Sequence, residues 1–390
     1  MNTRTEQPAY EKATSRPDGY WHNGLERRIL VSDMKDLPDI IVNQPSESAS
    51  SGSQRLPTVP PSGGALAEAA AVIEARAADY AERARSAATR RAYRTDWHHF
   101  AAWCATYGAR PLPADPRLVA RYLSAYAGEL KVVTLQRRLS AIQHVHREAG
   151  LDFDGRQRDL RDVWRGIRRT HGTASRGKAP TVTEELRALV ATCDPTRLLG
   201  LRDRALLLLG FAGCFRRSEL VGLDVADVAE HRDGFVVSLA RSKTDQEGRG
   251  AEKGIPYGAH PDTCPVRAVR DWLAASGVRE GPVFRAVNRH GQVGAARLSD
   301  KAVARVVKNA VEAARARALA LGNLALAATF DPARYAGHSL RAGFITSAAA
   351  AGVSTLDIMR HSLHQREETL RKYVRHATVF RQNAAAKVGL

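Results

Sequence analysis

Four stretches in the second half of the chain carry side chains able to grip an oxyanion, move protons and attack as a nucleophile. Arg216 stands in CFRRSEL (214–220), directly after the apolar run LLLLGFAG, with Glu219 three residues beyond it. Lys243 lies in ARSKTDQEGRG, between two strand-like runs. His338 and Arg341 are three apart in GHSLRAGF (337–344), and LHQREETLRKYVRH (363–376) holds His364 and Tyr373. A guanidinium is a fixed fork of donors that fits paired oxygens in a way an ammonium does not. A tyrosine hydroxyl, with a pKa near 10, becomes a nucleophile once a neighbouring base or acceptor takes its proton. A lysine ammonium can return a proton to a leaving group. Singly, each residue has an ordinary reading: a solvated helix start, a turn lysine, a partly buried tyrosine. Order and spacing carry the weight.

Rival clusters are weaker. His98-His99 and His144-x-His146 do not share a helix face, and His361 with His364 lacks an evident third ligand, so no metal site is expected. Cys104, Cys193, Cys214 and Cys264 form no C-x-x-C pair and read as buried thiols in a reducing compartment.

The elements that must hold these residues are mostly helical. Residues 1–63, with SESASSGSQ and PTVPPSGG, read as a disordered or loosely attached leader, though Trp21–Leu30 is a short patch that could dock. Residues 64–169 read as a helical domain of four or five helices. Tyr93, Trp97, Phe100, Trp103 and Tyr107 form a core stripe at spacings of three and four. Asp115-Pro116 reads as an N-cap followed by proline at the first helical position, and Thr134 as the start of a helix ended by Gly150. Residues 170–180 read as a basic linker. In 181–390, more helices flank a small β-sheet around Asp233-Gly234-FVVSLA and GIPYG, and the chain from Cys264 on reads as mostly helical. There is no internal repeat.

Charge points to a partner. The 390 residues carry a formal +18, but residues 1–63 are net −1, 64–180 net +9 and 181–390 net +10. A polyanion held between two basic domains would give this distribution, and nucleic acid is the default candidate. The rival is an arginine-rich, merely solvated surface. Arg90, Arg91, Arg94, Arg137 and Arg138 on the helices, with Arg176 and Lys178 in the linker, are the candidate phosphate contacts. No apolar run approaches the roughly 18 residues of a membrane span. MNTRTEQPAYEK lacks a signal-peptide core, so a cytoplasmic, nucleoid-associated bacterial protein without a membrane partner is expected.

In chain order, Arg216 with Glu219, Lys243 in its strand-flanked turn and His338-x-x-Arg341 resemble the tyrosine recombinase, or phage integrase, family, as does GVSTLDIM between the boxes. The family places a histidine or tryptophan nine residues before the nucleophilic tyrosine. His364 is nine before Tyr373 and His361 twelve, so His364 takes the role, although Leu363 precedes it where members often have glycine. The resemblance covers 181–390 well, the helical domain in outline and the leader not at all.

It implies a mainly α fold with a small antiparallel β-sheet in the catalytic domain. The helical core-binding, SAM-like domain and the catalytic domain would form a two-domain, C-shaped DNA clamp. It implies a site-specific DNA recombinase that cleaves and rejoins strands through a 3′-phosphotyrosyl link, without metal or nucleotide cofactor. Tyr373 would attack, His338 would accept its proton, Arg216 and Arg341 would clamp the phosphate, and Lys243 would protonate the leaving oxygen. His364 would contact the phosphate, with Glu219 supporting. Expected partners are duplex DNA with inverted half-sites, a homotetramer on paired sites and accessory DNA-bending proteins. The residues after Tyr373, ending AAAKVGL, could dock on a neighbouring protomer. The alternatives are a type IB topoisomerase-like nicking-closing enzyme and a catalytically silent DNA-binding regulator.

Overall fold

The computed structural model describes residues 63–173, 178–240 and 250–378. The expectations for the leader, Lys243, Arg176 and the C-terminal tail therefore lie outside the described residues. The chain divides into two compact units, 1–175 and 176–390.

The first unit is helical: α1 (Gly63–Arg83), α2 (Ala87–Thr106), α3 (Pro116–Ala125), α4 (Val132–Glu148) and α5 (Arg158–His171). The aromatic stripe folds as its spacing predicts, with Trp97 and Phe100 buried beside Tyr122 and Leu135 in one apolar cluster, while Tyr107 at the end of α2 is exposed. Asp115 caps α3 by accepting from the Arg117 N–H at 2.8 Å, with Pro116 at the first helical position. Thr134, expected to open α4, lies inside it; the helix begins at Val132, whose side chain is buried, and burial outweighs the missing hydroxyl cap.

The structure also corrects one candidate contact. Arg138 is drawn into the core, its guanidinium 5.8 Å from the Tyr122 ring centre, 5.2 Å from that of Tyr126 and 3.9 Å from the buried Asp96 carboxylate. Adjacent residues on a helix lie about 100° apart. Arg137 accordingly keeps more exposure, yet it clamps Asp96 with two hydrogen bonds, 2.6 and 3.0 Å. Arg91 and Arg94 are exposed on α2, and Arg90 there is half-buried.

In the second unit, α6 (Thr183–Val190) leads to α7 (Leu198–Ala212) and α8 (Arg217–Gly222). A sheet β1 (Val228–His231), β2 (Gly234–Leu239), β3 (Ala251–Pro256) follows, antiparallel in the order β1-β2-β3. Helix α7 is buried over Ala205–Gly210 without an amphipathic stripe, as a helix at the centre of a core must be. Gly234 closes the β1–β2 turn at φ 149°, where a Cβ would lie 2.0 Å from Ile255 O.

Beyond the sheet, α9 (Pro265–Ser276) anchors Trp272, whose indole N–H donates to Val283 O at 2.8 Å. The stretch after Cys264 is not helical throughout: β4 (Arg285–Val287) and β5 (Val293–Arg297) form a second hairpin. The turn Asn288–Gln292 is built on Asn288 Oδ1, which accepts from the His290 and Gln292 N–H groups. The strands are short and mostly exposed, so no alternating apolar signal marks them. Helices α10 (Asp300–Ala320), α11 (Leu324–Thr329), α12 (Ser339–Ala350), α13 (Thr355–Ser362) and α14 (Glu367–Thr378) complete the unit. Among the described residues no helix is long and apolar enough to cross a membrane.

The linker's end is strapped onto this unit. Lys178 Nζ donates to Ala333 O at 2.6 Å, Ala179 N to Arg334 O at 2.7 Å and Thr181 N to Ser339 O at 3.0 Å. Gly343 makes room for the strap: a Cβ there would sit 1.8 Å from Thr181 O. Lys178 thus serves an internal bond.

Candidate active site

Helix α7 ends in a turn that no ordinary C-cap residue makes. Cys214 adopts φ 49°, the left-handed position usually taken by glycine, and Phe215 N donates back to Gly210 O at 3.2 Å. From this turn Arg216 enters α8, its N–H donating to Glu219 Oε2 at 2.8 Å and its guanidinium also held by Glu219 Oε1. Glu219 is buried, and Arg341 Nη1 comes within 4.0 Å of its Oε2. One carboxylate therefore faces both guanidiniums.

Arg341 is 1% exposed, at the start of α12. Nη1 donates to Cys214 O and Nη2 to Ser362 O, each at 2.6 Å. Nη2 is also nearly equidistant from the two ring nitrogens of His364, at 3.3 and 3.4 Å, so it points at the ring rather than along one lone pair. Burial, then Arg341 and Arg216, push the His364 imidazole down to about 3, which keeps it neutral. Ser362 Oγ holds its Nδ1 at 2.6 Å. Leu363 takes φ 56°, so the backbone keeps the glycine-like shape although the residue is leucine.

His338 is exposed one turn before Arg341, and its Nε2 is 2.9 Å from Tyr373 Oη. Tyr373 rides on α14, which packs against α12 through the buried Leu370. Burial raises the Tyr373 hydroxyl pKa, while Arg341 pulls it back. His361 is elsewhere: its ring stacks on Phe344 with centroids 4.7 Å apart and its Nε2 is 2.7 Å from Ala212 O, a packing role.

Arg216, Glu219, His338, Arg341, His364 and Tyr373 thus converge, linked by the contacts above. Two forks and an imidazole–phenol pair can hold an anionic tetrahedral centre while an oxygen attacks it. Among the described residues no group of three His, Cys, Asp or Glu side chains could hold a metal ion.

One residue escaped sequence reasoning. Lys253 on β3 is 3% exposed, and its Nζ donates to Gly213 O at 2.7 Å. The signal was present: β3 alternates, and Lys253 and Ile255 occupy its two inward positions. A lysine on the inner face of a strand demands a partner.

Comparison with known proteins gives a consistent picture. Residues 181–379 match the model of the phage integrase family, and residues 79–150 that of the phage integrase N-terminal SAM-like domain. The chain is 38% identical over 308 residues, 78% of its length and 86% of the relative's, to an integrase/recombinase XerD homolog of Selenomonas ruminantium. It is 27% identical over 292 residues to recombinase Cre of Escherichia phage P1, covering 71% of this chain and 80% of that one. The fold resembles that of the XerH site-specific recombinase bound to palindromic difH substrate in a post-cleavage complex, with TM-score 0.51 and 16% identity over 70% of this chain and 72% of that one.

Proposed function

The chain belongs to the phage integrase family, whose members are DNA strand-exchange enzymes, and on that premise we propose a residue-by-residue course for its reaction. Duplex DNA is the substrate. Tyr373 Oη attacks a phosphodiester phosphorus as its proton passes to His338 Nε2. The new P–Oη bond forms as the P–O5′ bond breaks. The 5′ oxygen leaves with a proton from the ammonium of Lys243, and the 3′-phosphotyrosyl link keeps the bond energy for rejoining by a 5′-hydroxyl. Arg216 and Arg341 neutralise charge on the non-bridging oxygens in the pentacoordinate transition state, and their donors need little reorganisation because Glu219, Cys214 O and Ser362 O already hold them. His364, kept neutral, contacts the phosphate from the other side of Arg341.

The observation that carries this reading is the 2.9 Å contact between His338 Nε2 and Tyr373 Oη, one helical turn from Arg341. Nucleophile and base are paired within one chain. On this reading two protomers occupy inverted half-sites, four assemble on paired sites, and the helical unit and catalytic unit grip one duplex through their +9 and +10 charge.

The test uses the inverted repeat located by footprinting on neighbouring DNA, built as a duplex nicked so that cleavage traps the intermediate. The wild-type chain forms a denaturation-resistant adduct at the 3′ phosphate and Tyr373→Phe forms none. A wild-type chain that binds the site yet forms no adduct overturns the reading. Relaxation of supercoils by a monomer without site preference would instead mark a nicking-closing enzyme.

A further inference from the structure

The last carbonyls of a helix have no partner within it and form its negative end. At the end of α7 and in the turn that follows it, three successive carbonyls are each taken by a side chain from a different element. Ala212 O faces His361 Nε2 of α13 at 2.7 Å, Gly213 O accepts from Lys253 Nζ of β3 at 2.7 Å, and Cys214 O accepts from Arg341 Nη1 of α12 at 2.6 Å. Two of these neighbours have places in or beside the reaction just described. The third, Lys253, is a buried lysine with its ammonium 5.0 Å from the centre of the Phe215 ring.

The turn needs such restraint. A non-glycine residue at φ 49° costs about 1–2 kcal/mol and persists only where its surroundings over-determine it. Gly213 is tightly enclosed as well, since a Cβ on it would meet the Phe215 ring at 2.0 Å. The turn also sets the direction in which Arg216 leaves α7. Lys253 reaches it from the strand that follows the segment bearing Lys243.

We propose that Lys253 is a positioning residue for strand cleavage: by holding Gly213 O it fixes the turn from which Arg216 projects and on which Arg341 docks, and it ties β3 to that turn. The inference rests on the transesterification reading above. A methionine of similar length would fill the space but could not donate. Burial, with Arg341 and Arg216 nearby, lowers the Lys253 ammonium to about 8, while Cys214 and Glu219 act in the opposite sense. His361 and His364 also lie within its field. The ammonium is thus present at neutral pH and lost as pH rises through about 8, and the hold on the turn weakens over the same range.

The experiment compares wild type, Lys253→Met and Lys253→Arg on two nicked duplexes of the footprinted site. One has the normal 5′ oxygen at the scissile phosphate and the other a bridging 5′ sulfur, which leaves without needing a proton. Lys253→Met should bind DNA as wild type but form adduct about tenfold or more slowly on both duplexes. The wild type should lose rate through about pH 8 on the sulfur duplex, and Lys253→Arg, whose charge persists, should restore the rate and keep it at alkaline pH.

Wild-type rates in Lys253→Met overturn the proposal. So does full rescue of that variant by sulfur, because Lys253 would then be the proton donor rather than a support. If Lys253→Met fails to fold, the wild-type alkaline limb and its disappearance in Lys253→Arg decide for the proposal, and their absence decides against it. A wild type that binds but forms no adduct on either duplex defeats the transesterification reading itself, an outcome distinct from all of these.

Discussion

At the scale of single residues the site is organised by buried charge. Glu219, with 3% of its side chain exposed, holds Arg216 and faces Arg341. Removing one partner of a buried ionic group leaves the others uncompensated. Glu219→Ala is expected to destabilise the second unit by about 3 kcal/mol, read as a lower urea midpoint with unchanged slope, and to slow adduct formation as well. The proposed catalytic residues were legible because each sits at a family spacing, and the geometry brings together all of them that the structure describes. Lys253 was not, because no motif marks it; only the inward phase of a six-residue strand does. Arg138 misled for the opposite reason: an arginine beside another arginine looks like surface until the Tyr122 and Tyr126 rings and a buried aspartate on another helix, α2, are seen beside it.

Elements were legible in proportion to the burial that drives them. The aromatic stripe, the Asp115-Pro116 cap and the β2–β3 pairing each follow from a pattern in side-chain type. The β4–β5 hairpin escaped because its strands are short and face solvent, so its only mark is an Asn-to-Gly turn. The start of α4 was misplaced because a threonine looked like a cap while a buried valine had already begun the helix.

Helix α12 carries His338 at its cap and Arg341 in its first turn, so its seating governs both. Alanine normally favours a helix over glycine by about 1 kcal/mol. At Gly343 the added methyl would meet Thr181 O at 1.8 Å, backbone that cannot swing aside as a side chain could. Gly343→Ala is therefore expected to destabilise by about 1–3 kcal/mol despite the better propensity, measured by thermal and urea unfolding. Unchanged or raised stability would show that the strap yields freely.

For the whole molecule, histidine sets the acid limit. His99, His144 and His146 in the first unit and His361 and His364 in the second are all shifted downward, chiefly by burial. His146 shows why: it is fully buried, its Nε2 accepts from the Ala114 N–H at 2.8 Å, and protonation would break that bond. A folded-state pKa below the unfolded value near 6.5 gives stability that is complete above that pH and lost as pH falls. Asp203 and Glu185, shifted upward by burial, act the other way nearer the carboxylate range. Both units are expected to melt at lower temperature at pH 5.5 than at pH 7.5, followed by calorimetry, and His146→Gln should reduce the difference in the first transition. Equal melting temperatures would contradict this.

The strap from Lys178 to Thr181 also defines where the protein can be recombined with its relatives. Those few residues precede the first helix of the second unit, yet they already belong to it by compactness and by their bonds to Ala333, Arg334 and Ser339. A helical unit borrowed from another member should be joined upstream of Lys178, so that the recipient keeps its own strap. A junction placed after Thr181 would import a foreign tether, and the exchange would alter the seat of His338 and Arg341 along with the helical unit.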